Sequence, residues 1–188
     1  MTLALARSFI GQGIDVGVMK PISAGPQKDN DALYLKKALK LKDPLALINP
    51  VHLKLPLAPC VAAGLLGEKI NLPAIFKAFK KLEKVHELLL VEGVGGALVP
   101  ITENYFVADL VKDLNIPVII VARAGLGTIN HTLLTIEAFR ARGVEIMGVV
   151  MNGYTGKALS EKTNAETISR IAKVPILGKI KWQKLRKN

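Results

Sequence analysis

"IPVIIVARAGLGTINHTLLTIEAFRARG", residues 116–143, decides how the rest of the chain is read. Its opening IPVIIVA is a short continuous apolar run rich in β-branched residues, which reads as a strand. Uniformly apolar strands are buried on both faces, as in a parallel sheet sandwiched by helices. The next residues, RAGLG, form a glycine-rich turn, and TINHTLLTIEAFRARG reads as a helix closed by Gly143. Free N–H groups at that helix start, together with the helix dipole, offer a place for an anion. His131 lies one turn into the helix with no ligand partner spaced around it, so it reads as a packing or hydrogen-bonding residue.

The same strand–turn–helix pattern extends in both directions. IDVGVM (14–19), ELLLVEG (87–93), EIMGVVMNG (145–153) and PILGKI (175–180) are further expected strands. Helices are expected over 31–39, about 71–84, 106–114 and about 160–172, and MTLALARSFIGQG (1–13) reads as the later part of a helix. Alternating β and α elements predict an α/β, doubly wound, mostly parallel sheet with helices on both faces. The stretch 40–70, with prolines at 44, 50, 56 and 59, is expected to be loop and short helix. No internal repeat or low-complexity linker interrupts the 188 residues, and a single domain over 1–188 is expected.

Composition narrows the function classes. Half the residues are hydrophobic, enough for a sizeable core, yet no apolar run approaches the ~18–20 residues of a membrane span. No basic stretch leads into an apolar segment and cleavage site, so a cytoplasmic location is expected. The single cysteine, Cys60, has no internal disulfide partner and reads as a small buried apolar residue. A net charge of +11 raises nucleic acid as a partner, but the lysines are dispersed at helical spacing and aromatics are only 5%. That is poor material for stacking on bases, whereas a basic protein attracts anionic small molecules such as nucleotides. Neither nucleic acid nor membrane is the expected partner.

In doubly wound sheets, ligands sit beyond the carboxyl ends of the strands, so the residues there are the candidates. Lys20 follows the first expected strand and is stiffened by Pro21; it either meets an anionic substrate group or caps the sheet. Asp29 or Asn30 serves as a helix N-cap, while Asp31 is placed to face a metal–nucleotide complex. Glu92 ends an apolar strand where an unpaired charge is costly, and three glycines follow within four residues. It either binds Mg²⁺, which prefers carboxylate and water oxygens, or pairs with a lysine. Asn152-Gly153 ends another strand, where an amide donor and acceptor suit an adenine edge or an ordinary turn.

Six blocks then occur in a recognisable order: KPISAG (20–25), DNDAL (29–33), LVEGVGGALVPIT (90–102), VARAGLGTINHTLLTIEAFRARG (121–143), GVVMNG (148–153) and PILGKIKW (175–182). Over essentially its whole length the chain resembles the dethiobiotin synthetase family. The resemblance implies a P-loop NTPase-like fold and an ATP-dependent ring closure in biotin biosynthesis. Its small-molecule substrates would be 7,8-diaminononanoate, CO2 and ATP, with Mg²⁺ as cofactor and a homodimer as the assembly. By the same resemblance Lys20 matches the catalytic lysine, and Asp31 and Glu92 match the Mg²⁺ carboxylates. Gly93, Val94 and Gly95 match the loop beside the nucleotide, Asn152 and Gly153 the purine-reading pair, and Lys181, Trp182 and Gln183 the segment closing over adenine. Asn130, in GTINH, falls where the diamine binds near the dimer interface. The family's substrate-contacting hydroxyl residue aligns with Ala24, and Ser23 stands one position earlier, so both are candidate substrate contacts. Where Lys181 stands, the family often has proline.

The family also opens with a strand and a P-loop ending Gly-Lys-Thr, which would lie upstream of Met1 and which the sequence lacks. YTGKAL (154–159) has neither the spacing nor the preceding strand of that motif, and Thr2 stands a few positions too late for the magnesium threonine. An N-terminally incomplete chain is therefore expected. The alternatives are a non-catalytic binding or regulatory module of the same fold, and a P-loop ATPase of the partitioning or cobyrinate type. The GTINH block argues against the last.

Overall fold

The computed structural model describes residues 1–182. The chain forms two compact units, Met1–Val107 and Ala108–Asn188.

The first unit runs α1 (Thr2–Ile10), β1 (Val16–Met19), β2 (Ile22–Ala24), a 3-10 turn (Gln27–Asp29), α2 (Asp31–Leu39), α3 (Leu45–Ile48), β3 (Val51–Leu53), α4 (Pro59–Leu66), α5 (Leu72–Glu83), β4 (Leu88–Val91), β5 (Pro100–Thr102) and β6 (Tyr105–Phe106). β1 pairs in parallel with β4, from Val16 opposite Leu88 to Met19 opposite Val91. β2 pairs in parallel with β3, with Ser23 opposite His52. Between them lies Lys20-Pro21, and proline has no N–H to continue a ladder. The chain therefore bends there: the Lys20 N–H donates to the Ile48 carbonyl (2.7 Å), and the Val51 N–H to the Pro21 carbonyl (3.3 Å). The strand thus hands its hydrogen bonds from β4 to β3 across a single lysine.

Burial supports this arrangement. All four residues of β1 are buried. Val16 and Val18 form a cluster with Ala6 and Leu35, closed by Leu3, Phe9, Leu39, Leu88 and Leu90. α5 places Ile75, Ala78, Phe79 and Leu82 on one buried face, the i, i+3, i+4, i+7 stripe of an amphipathic helix. Each large side chain on that stripe contributes roughly 1.5–3 kcal/mol of burial. Asn71 starts the helix by accepting from the Ala74 N–H at 3.0 Å.

The second unit begins within α6 (Val107–Leu114) and continues β7 (Val118–Arg123), α7 (Thr128–Arg140), β8 (Ile146–Tyr154), α8 (Leu159–Ala172) and β9 (Ile176–Lys181). Its sheet is parallel in the order β7-β8-β9, so helices join successive strands as expected for an α/β fold.

The expected strands and long helices are present, with boundaries shifted by a few residues. β2, β3 and the β5–β6 hairpin were not expected; strands of two or three residues are too short for a period to register. Two strands are less buried than a doubly covered strand should be. β4 is half-buried along its length, and Val121 in β7 is 46% exposed. Among the described residues each is paired along one edge alone. Cys60, expected to be buried, is half-buried in α4. Among the described residues no helix is long and apolar enough to cross a membrane.

Candidate functional site

The bend at Lys20 builds a charged cluster in the first unit. Lys20 is only 6% exposed, and its ammonium turns back toward the end of β4. It donates to Glu92 Oε1 at 2.8 Å and to the Gly93 carbonyl at 2.8 Å. Asp31 Oδ2 lies 3.4 Å from the same nitrogen. Three residues taken from three strand or helix ends thus meet at one atom. Glu92 is placed by the β1–β4 ladder, because its own N–H donates to the Met19 carbonyl at 2.8 Å. Asp31 is placed by its helix: Asn30 is the N-cap of α2, its Oδ1 accepting from the Ala32 N–H at 2.8 Å. A carboxylate in a helix's first turn is also favoured by the helix dipole.

Electrostatics follow from this geometry. Burial alone would hinder ionisation of Glu92, but hydrogen bonds from Lys20 and then the Thr2 hydroxyl outweigh it. With the charge of Lys20 added, the carboxyl lies below its ordinary 4.5. Glu92 is therefore an ionised carboxylate near neutral pH, charge-compensated by Lys20. Thr2 thus reaches the cluster as a neighbour of Glu92.

The glycines after Glu92 serve backbone geometry. Gly95 has φ of 69°, and a Cβ there would sit 2.8 Å from a Val99 methyl carbon. Gly93 and Gly95 are exposed and Val94 is half-buried, so the loop presents its main chain to solvent. Beside Asp31 a depression of ≈ 460 Å³ is lined by residues that include Lys28, Tyr34 and Lys37.

Ser23 and Ala24 lie in β2. Ala24 is half-buried, whereas the Ser23 hydroxyl points inward, 2.7 Å from Asn49 Oδ1 and 2.8 Å from His52 Nδ1. Asn49 and His52 belong to a polar network that the sequence reading missed. They fall in the proline-rich stretch 40–70, where periodicity carries no signal.

In the second unit, Asn152 and Gly153 lie inside β8 rather than in a turn after it. The register against β9 shifts between Asn152 and Tyr154, and Gly153 supplies the φ of 80° at that irregularity. Asn152 is exposed there. Lys181 is paired with Tyr154, and the Trp182 N–H donates to the Tyr154 carbonyl at 2.9 Å. The strand pairing thus brings Asn152, Gly153, Lys181 and Trp182 together, with Trp182 61% exposed. Gln183 lies outside the described residues. Asn130 and His131 are exposed on the first turn of α7, so the ring of His131, expected to pack or hydrogen-bond, is not a core residue.

Two polar residues of α8 brace the neighbouring loops, and both were missed. Asn164, 3% exposed, donates from Nδ2 to the Ala124 carbonyl at 2.8 Å and the Gly125 carbonyl at 3.0 Å. Glu161 accepts from the Thr155 hydroxyl at 2.9 Å and from the Gly156 N–H at 2.6 Å. Burial opposes its charge, but these donors hold its carboxyl below the ordinary 4.5. Their signal was available. Glu161, Asn164, Ala165 and Ile168 share one helical face, where polar residues among apolar ones need partners.

Comparison with known proteins places the chain in a family. A family model described as an AAA domain matches residues 1–188. The chain is 41% identical over 194 aligned residues to the ATP-dependent dethiobiotin synthetase BioD of Thermodesulfovibrio yellowstonii, covering 95% of this chain and 80% of that one. The protein of the same name from Bacillus velezensis is 39% identical, covering 95% and 78%. That from Methanocaldococcus jannaschii is 38% identical, covering 94% and 85%. Among solved structures, the signal recognition particle 54 kDa protein of Aeropyrum pernix, in complex with GDP, superposes with a TM-score of 0.54 at 14% identity. That match covers 97% of this chain and 38% of the other, and it shows a P-loop NTPase-like α/β fold. With relatives this similar across nine-tenths of its length, the chain belongs to the ATP-dependent dethiobiotin synthetase family.

Proposed function

We propose that this protein forms dethiobiotin from 7,8-diaminononanoate, CO2 and ATP, a step of biotin biosynthesis. The observation that carries the reading is the Lys20 ammonium, held 2.8 Å from both Glu92 Oε1 and the Gly93 carbonyl with Asp31 beside it. It forms a preorganised positive charge at a glycine-rich strand end.

In the reaction one substrate amine attacks CO2 and loses a proton, giving a carbamate. A carbamate oxygen takes the γ-phosphoryl group of ATP, and ADP leaves. The second amine attacks the carbonyl carbon, loses a proton, and expels phosphate as the ureido ring closes. Negative charge builds on oxygen in the first two steps, and Lys20 is the group that neutralises it, its orientation already fixed before substrate arrives. Positioning and charge neutralisation are the main tasks of a protein in phosphoryl transfer.

Asp31 and Glu92 converge on one nitrogen, so their oxygens share a small volume. One or two carboxylates completed by phosphate and water is the usual donor set for Mg²⁺, and these two residues fit it. They would hold the ion, which when bound neutralises phosphate charge. The main chain of Gly93, Val94 and Gly95 lies beside the nucleotide, and the exposed amide of Asn152 at Gly153 reads the purine edge. Lys181 and the Trp182 ring close over it, and Asn130 contacts the diamine. The protein acts as a cytoplasmic homodimer of a single-domain chain that takes small molecules rather than nucleic acid or membrane as partners.

The test is product formation. The protein is incubated with the diamine, ¹³C-bicarbonate, ATP and Mg²⁺, and dethiobiotin is sought by mass spectrometry. Labelled dethiobiotin with stoichiometric ADP is the expected result, and it disappears in Lys20→Ala. Turnover unaffected by that substitution would sink the assignment.

A further inference from the structure

Asn49 sits 7% exposed between α3 and β3, and it uses its whole hydrogen-bonding capacity. Nδ2 donates to the Lys20 carbonyl at 2.8 Å and to the Val51 carbonyl at 2.9 Å. Oδ1 accepts from Ser23 Oγ at 2.7 Å and from Asn30 Nδ2 at 3.1 Å. Two donors and two acceptor positions are all that an amide possesses. Two carbonyls on one side and two donors on the other also fix which way the amide faces.

The four partners belong to four different segments. Lys20 directly follows β1, Ser23 lies in β2, Asn30 caps α2, and Val51 begins β3. Asn49 holds the Lys20 carbonyl while its neighbour Ile48 accepts from the Lys20 N–H at 2.7 Å. Both main-chain polar groups of the lysine are therefore fixed by consecutive residues. Through Asn30, the same side chain steadies the helix whose first residue is Asp31. The ammonium and one of the carboxylates facing it are thus referred to one buried amide. A fully satisfied buried amide specifies a single geometry, because any displacement leaves a polar group without a partner.

We propose that Asn49 is a positioning residue for Lys20, setting the base from which the lysine reaches the reacting groups, with the Ser23 hydroxyl as one of its struts. Asn49 touches no substrate in this role. The inference rests on the proposed function for its catalytic meaning, but its structural content can be tested separately.

The experiment is native-state reductive methylation with formaldehyde and cyanoborohydride, read lysine by lysine by peptide mass spectrometry. Asn49→Asp keeps the shape but turns an oxygen toward two carbonyls. Lys20 in that variant should label about fivefold faster than in the parent protein, the factor associated with one lost hydrogen bond. Lys36, whose ammonium is held by the Leu41 carbonyl at 2.8 Å elsewhere in the unit, should keep its rate. Equal acceleration at Lys36 would mark general destabilisation and overturn the proposal, as would an unchanged Lys20. Ser23→Ala removes one strut only; should Asn49→Asp not fold, this variant decides, with selective labelling of Lys20 up by about twofold. No selective change would again overturn it. In the dethiobiotin assay, Asn49→Asp should lower kcat by about ten- to a hundredfold, with KM for ATP nearly constant. A parent protein that makes no dethiobiotin refutes the proposed function alone, because the labelling ratio still decides the role of Asn49.

Discussion

Replacing Lys20 by methionine removes the charge from the site while keeping most of the side chain's length. The perturbation deletes a contact to Glu92 Oε1 at 2.8 Å, one to the Gly93 carbonyl at 2.8 Å, and a pair with Asp31 at 3.4 Å. Between unit charges at the first distance, the attraction is about 6 kcal/mol at an effective dielectric of about 20 and about 1.5 kcal/mol in water. The Glu92 side chain is 30% exposed, which places the real value between these limits. Asp31 is 63% exposed, and its share falls to about 0–1 kcal/mol after screening. Against these losses stands the cost of burying the ammonium itself, which methionine does not incur. The net destabilisation is about 1–3 kcal/mol, or a fall in Tm of roughly 3–10 °C for a chain of this size.

The pH dependence carries the sharper test. The folded pKa of Glu92 lies below its ordinary 4.5, so its contribution is fully present above that value and is lost as pH falls through the folded pKa. In Lys20→Met both the hydrogen bond and the charge of the lysine disappear, burial is opposed chiefly by Thr2, and the carboxyl titrates higher. The stability gap between parent and variant should therefore be widest near neutral pH and narrow as pH falls below 4.5. Urea melts at about pH 7 and about pH 3.5 measure both ends of that range. A gap that stays constant, or widens in acid, would refute the charge-pair account of Glu92. Dethiobiotin formation should fall by about 10²–10³ in the same variant, the usual loss for a preorganised charge-stabilising group.

Two further outcomes follow from the second unit. Asn164→Ala leaves the carbonyls of Ala124 and Gly125 without their amide donor, which should cost about 2–3 kcal/mol and speed hydrogen exchange in the turn before α7; exchange like that of the parent would contradict the bracing role. Glu161→Gln removes a carboxylate whose pKa is depressed by the donors of residues 155–157, so the variant's stability should vary less with pH below 4.5 than the parent's. Identical acid melts of the two proteins would show that the loop does not depend on that charge.

The chain's order of strands and helices was legible because β7, α7 and β8 are long enough for apolar runs and amphipathic spacing to declare themselves. Lys20, Asp31 and Glu92 were legible for a related reason: each stands at the end of such an element, where a parallel sheet collects its polar residues. The network behind Lys20 could not be read. Asn49 and His52 meet Ser23 and Asn30 only because β2 pairs with β3, and a three-residue pairing across roughly thirty residues leaves no local pattern. The same pairing turned the Ser23 hydroxyl inward, which sequence position alone left open. The half-exposure of β4 was equally hidden, since a run of leucines reads alike whether a strand has one hydrogen-bonded neighbour or two. Local sequence determined which residues reach the strand ends and with what chemistry. Tertiary structure decided which of them face each other, because burial and hydrogen-bond partners are properties of segments far apart in the chain.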